Sequence, residues 1–128
     1  AFIAKNIRFN DNCIHKAATM GDISLINKLY TLGYDLNYID QRGQNALFAT
    51  VIAQELETAR FLIDMGVDVE HTNKEGQTCL HAACNNNDKA MVQLLLDYGC
   101  PSTNDRFGDR PQDLTIDKSI MQLFDHTK

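Results

Sequence analysis

No run of 18 apolar residues occurs anywhere in the chain, so it offers nothing long enough to cross a bilayer as a helix. Prolines are scarce as well: two in 128 residues, in a composition 44% hydrophobic and 23% charged, which leaves no room for a disordered majority. Cations are the minority charge, 12 Lys and Arg against 17 Asp and Glu. The resulting net charge of −5 argues against nucleic acid, whose backbone is held by clustered basic residues. No Ser stands in a Gly-x-Ser-x-Gly elbow, no Gly-rich run precedes a Lys-Ser or Lys-Thr pair, and no two carboxylates mark a pocket. The motifs of acyl and phosphoryl transfer are therefore missing. The opening Ala1-Phe2-Ile3-Ala4-Lys5 is too short for a signal peptide, and a start at Ala is expected of a segment of a longer protein. The length suits one domain that buries about two thirds of its unfolded surface.

What the chain does have is a period. The stretch from Asn73 to Gly99 holds a Gly-marked turn, a short helix opened by Thr78, a polar break at Asn85-Asn86-Asn87-Asp88, an amphipathic helix and a closing Gly. Gly33, Gly66 and Gly99 recur every 33 residues, and Gly43, Gly76 and Gly108 follow at 33 and 32. In the same register Asn12, Asn45 and Thr78 share a position, as do Ile14, Leu47 and Leu80, then His15, Phe48 and His81, then Asp40, Asn73 and Asp105.

The run Gly76-Gln77-Thr78-Cys79-Leu80-His81-Ala82-Ala83 resembles the ankyrin-repeat signature Gly-x-Thr-Pro-Leu-His-x-Ala-Ala, and Val92 to Gly99 is similar to that family's second helix. The resemblance covers about residue 7 to the C-terminus. It implies an all-α solenoid of stacked helix-turn-helix units joined by β-hairpins. Cys13, Ala46 and Cys79 depart from it at the usual Pro, Phe48 at the His, and Gln54 at a helix-ending Gly.

The expected organisation is a single domain, 1–128. Residues 1–10 are read as the remnant of an N-terminal cap, 7–39, 40–72 and 73–104 as repeats, and 105–128 as a reduced capping repeat. Helix pairs are expected at about 12–20 and 23–32, 45–53 and 56–65, and 78–86 and 89–98. Asn12 and Asn45 serve as N-caps, Asp22 caps a second helix, and Gly21 and Asn87 end first helices in a left-handed conformation. Ile26, Leu29 and Tyr30 form an inward stripe at i, i+3, i+4, with Ser24, Asn27 and Lys28 outward. In the last segment Pro111 opens a brief helix through Leu114 and Ile116, followed by a second carrying Ile120, Leu123 and Phe124. The recurring acids Asp22, Asp40, Asp64, Asp88, Asp97 and Asp105 are read as caps and turn formers.

Cys79-x-His81-x-x-Cys84 brings two thiols and an imidazole together, but the register makes His15 and His81 the signature His, which the resemblance implies is structural. Cys13, Cys79, Cys84 and Cys100 fall at positions of small core residues, which fits free thiols in a reducing compartment, cytoplasm or nucleus. No metal, no cofactor and no catalytic residue is expected. His71 and His126 stand as lone, exposed side chains without a partner at catalytic spacing.

The resemblance implies a non-enzymatic protein-interaction module, monomeric when isolated, that holds a protein or peptide by its hairpin tips and the exposed ends of its first helices. Carried over residue by residue, those positions are Arg8, Phe9 and Met20, then Tyr38, Ile39, Gln41, Arg42, Ile52 and Ala53. They continue with His71, Lys74, Glu75, Asn85 and Asn86, and end with Arg106 and Phe107. Phe9, Tyr38, Ile39, Ile52 and Phe107 would make an apolar strip along one edge. The alternative for that strip is packing across neighbouring hairpins. Two other functional readings stay open: a regulatory segment of a larger enzyme or channel, and an acidic reader of a basic peptide. For the second, Phe107 to Ser119 is similar to the last repeat of an ankyrin stack that reads a histone tail.

Overall fold

Helices of seven to nine residues are too short to persist alone in water, so each here exists because a neighbour covers its apolar face. The computed structural model describes residues 13–125. Six helices come in pairs: α1 (Cys13–Met20) with α2 (Ile23–Thr31), α3 (Ala46–Ile52) with α4 (Leu56–Asp64), and α5 (Cys79–Asn85) with α6 (Lys89–Asp97). A 3-10 turn (Pro111–Leu114) and α7 (Lys118–Asp125) follow, and no strand occurs among the described residues. The helix pairs thus lie where the repeat register puts them. The N-terminal cap remnant, Arg8, Phe9, Asn12 and His126 lie outside the described residues.

The ends are set locally. Asp22 Oδ1 accepts from the Leu25 amide at 3.0 Å, Asn45 Oδ1 from Phe48 at 3.3 Å and Asp88 Oδ1 from Met91 at 3.3 Å, each satisfying an amide the first helical turn leaves open. Glu55 occupies the same register at α4 and makes no such bond, because its extra methylene carries the carboxylate past the amides and over Gly21. Between paired helices the chain turns through a left-handed residue, Gly21 at φ 70°, Gln54 at 63° and Asn87 at 53°.

α1 packs on α3, α3 on α5, and α5 on the 3-10 turn, while α4 packs on α6 and α6 on α7. Five of the seven residues of α3 are buried: Ala46, Leu47, Phe48, Thr50 and Val51. Ile26, Leu62, Leu80 and Leu95 are wholly enclosed, and each such side chain contributes about 1.5–3 kcal/mol by leaving water. Two expectations fail at the edges of this core. Tyr30 is half exposed, since only Ile26 of α2 is fully covered and the stripe fades toward the helix end. The brief helix stops at Leu114; Ile116 lies beyond it and is 88% exposed.

The connections between pairs run out to tight turns built alike. Asp40 Oδ1 accepts the amides of Arg42 and Gln44, Asn73 Oδ1 those of Glu75 and Gln77, and Asp105 Oδ1 those of Phe107 and Asp109, all at 2.9–3.0 Å. The turn glycines are required: a Cβ on Gly43, at φ 80°, would stand 2.8 Å from the Lys74 nitrogen. That close approach lets neighbouring tips bond, Lys74 N–H to the Arg42 carbonyl at 3.3 Å and Arg106 N–H to that of Glu75 at 2.9 Å.

Candidate functional site

The tips and the inner helices enclose three open grooves side by side. One, of about 340 Å³, is lined by His15, Lys16, Thr19, Asp40, Arg42, Gln44, Ala49, Ile52 and Ala53. The next, of about 390 Å³, runs between Gln44, Phe48 and Ile52 on one side and Gln77, His81, Ala82, Asn85, Asn86 and Leu114 on the other. The third, of about 540 Å³, lies at the tips among Arg42, Gln44, Asn73, Lys74, Glu75, Gln77 and Arg106. Gln44 borders all three, and Ile52, 50% exposed at the end of α3, borders two. That leaves an aliphatic side chain half in water where two hollows meet.

Histidines tie this surface together. The Thr78 amide donates to His81 Nδ1 at 3.0 Å, so the ring carries its proton on Nε2 and donates it to the Asp109 carbonyl at 2.9 Å. His15 Nε2 donates likewise to the Gln44 carbonyl at 2.8 Å. Phe48 cannot do this for the pair between them. His71 Nε2 instead donates to the Gly43 carbonyl at 2.6 Å, in the same turn that His15 reaches, its ring edge-on to Phe48 at 6.3 Å. His71 is therefore neither lone nor free; it is half-buried and holds the neighbouring tip.

Of the other residues expected to meet a partner, Arg42, Ile52, Ala53, Lys74, Glu75, Asn85, Asn86 and Arg106 are brought together on the grooves. Asn86 also spends its amide on the Val51 and Ile52 carbonyls, both at 3.4 Å. The apolar strip breaks up. Tyr38 packs edge-on to His15 at 5.8 Å, Phe107 lies beneath the Arg106 guanidinium at 4.9 Å, and Ile39, Met20 and Phe107 are exposed without lining these three grooves. Lys16, Gln44, Gln77 and Leu114 join the site unannounced; Gln44 and Gln77 each follow a turn glycine, a recurrence that could have marked them.

The thiols stand apart from this surface. Cys79, Cys84 and Cys100 are buried and Cys13 is half-buried, all four free. Burial pushes Cys84 up to about 12 and Cys100 up to about 11, and Cys79 rises for the same reason, so the three stay protonated at neutral pH and are poor metal ligands or nucleophiles. With both nitrogens of His81 already bonded, the Cys79-x-His81-x-x-Cys84 run is core rather than a metal centre. No helix among the described residues is long and apolar enough to cross a membrane.

Stacked helix pairs whose turns bond their neighbours define a helical repeat solenoid. The family model for ankyrin repeats in three copies matches residues 14–106, well over half of the chain, and the chain belongs to the ankyrin-repeat family. No curated protein matches its sequence. Ankyrin repeats are generally protein–protein interaction modules and typically not enzymes.

Proposed function

We propose that this domain is a non-enzymatic module that holds a protein or peptide across the three grooves, with Ile52 as the central anchor. Arg42, Lys74 and Arg106 line the tips. In this reading 40–72 and 73–104 are the repeats whose surfaces carry the partner, and 105–128 closes the stack as a reduced cap. The uncharged, buried thiols suit a reducing compartment, cytoplasm or nucleus. One observation carries the reading: Ile52 is half exposed on a core helix and borders two grooves at once, where its burial by a partner would remove apolar surface from water.

The test is Ile52→Asp, with Lys28→Glu on the exposed face of α2 as control. Ile52→Asp removes no enclosed volume, so melting should move little, while partner affinity falls by at least about 1–2 kcal/mol. Affinity capture from the source cell with the three proteins, followed by titration of the captured partner, reads the difference. Unfolding of Ile52→Asp would make the residue core and end the proposal; equal loss with Lys28→Glu would move the partner to the outer helices.

A further inference from the structure

An acidic protein presents its cations at this site. Four of the chain's 12 basic residues, Lys16, Arg42, Lys74 and Arg106, line the three grooves, against two of its 17 acids, Asp40 and Glu75. All four cations are exposed, and none has a carboxylate within ion-pair distance among the described residues. Of the two acids, Asp40 spends an oxygen on the amides of Arg42 and Gln44. The segregation has a physical origin. Asp22 and Asp88 accept the open amides that start α2 and α6, Glu55 stands at the start of α4, and none of them lines a groove.

We infer that the partner segment is an acidic peptide: carboxylates spaced along the row Arg42, Lys74 and Arg106, and an apolar side chain on Ile52. The row is held in line by the backbone, since Lys74 N–H bonds Arg42 and Arg106 N–H bonds Glu75 at the adjoining tips. Three cations share the tip groove with one carboxylate, Glu75, so positive charge is in excess there and an incoming carboxylate relieves the repulsion that remains. The Arg106 guanidinium over Phe107 keeps its edge open to an oxygen while its face is covered. The groove that shares Ile52 with one charged groove and Gln77 with the other has no Asp, Glu, Lys or Arg and offers Phe48, Ile52, Ala82 and Leu114, which suits an apolar residue and not a sugar-phosphate backbone. A long polyanion would also meet the field of a chain whose net charge is −5.

This inference rests on the proposed use of the grooves, and the experiment separates the two. Fluorescence anisotropy measures binding of a short labelled peptide alternating Glu and Leu, of its counterpart with Lys at every Glu, and of a single-stranded oligothymidylate of equal charge. The probes are titrated into the wild type, the Arg42→Glu/Lys74→Glu/Arg106→Glu variant and Ile52→Asp, with circular dichroism verifying that each is folded. The expected result is saturable binding of the Glu peptide alone, weakening as salt rises, and falling by about tenfold or more in either variant. Preference for the Lys peptide, or no binding of the Glu peptide, overturns the acidic partner. If the Lys peptide binds and Ile52→Asp releases it, the groove reading survives without it. Binding of the oligothymidylate that the triple variant abolishes overturns the inference in favour of nucleic acid. Glu-peptide binding that neither variant touches removes both readings.

Discussion

At position 54 a side chain stands where the backbone asks for none. Gln54 is exposed at φ 63°, a region in which an L-residue's Cβ crowds its own carbonyl, while Gly21 and Asn87 fill the matching positions with residues that tolerate it better. Gln54→Gly should therefore raise stability by about 1 kcal/mol, read as a higher midpoint in thermal or urea unfolding. The position was legible because the register marks a terminator there. His71 was not: its partner, the Gly43 carbonyl, lies 28 residues away in a neighbouring turn, and nothing in the periodicity announces that an imidazole has moved there while Phe48 took the usual His place. Ile52 was legible for the opposite reason, an apolar residue at a position the pattern leaves to solvent.

Among the elements, the last is held differently from the rest. The terminal segment depends on three carboxylates. Burial alone would push Asp105 up, but the amides of Asp109 and Phe107, with the Gln77 side chain and His81, together outweigh it and the group ends below its ordinary value. Asp113 is lowered chiefly by its hydrogen bond from Arg110, and Asp117 by that from Ser119. All three ionise more readily folded than unfolded, so the unfolded chain binds more protons in this range. Their contribution is present above the ordinary carboxylate value of 3.8 and is lost as pH falls below it. Acidification from about pH 4 downward should loosen this end first. Asp105→Asn provides the check, because Asn73 builds the same turn without a charge. The variant should stay folded and lose less stability on acidification, followed by melting monitored with circular dichroism. Here the repeat pattern marked the turn and the Pro111 start. It could not mark the helix end before Ile116, since an apolar residue beside Leu114 looks the same whether it faces the stack or the solvent.

For the whole molecule, stability follows from neighbours rather than from one central core. Leu80 on α5 is wholly enclosed, whereas Leu123 on α7 is only partly covered. Leu80→Ala should cost about 2–5 kcal/mol, and Leu123→Ala less, with fraying confined to the end. Urea unfolding of both variants decides it; a larger loss at Leu123 would contradict a stack of nearest neighbours. The net charge was readable at a glance, but its placement was not. A sum of −5 has no direction: Lys16, Arg42, Lys74 and Arg106 line the grooves, while the acids at the helix starts, Asp22, Glu55 and Asp88, line none of them.

The bonds between tips carry one more consequence, in time rather than in energy. The amides of Lys74 and Arg106 sit in exposed turns where, in separate loops, they would trade their protons with water almost at once. Each instead donates to the tip alongside, so it is released only when that junction of the stack parts. Their two exchange rates are clocks for two seams, Lys74 for the one between the second and third helix pairs, Arg106 for the one that holds the terminal segment.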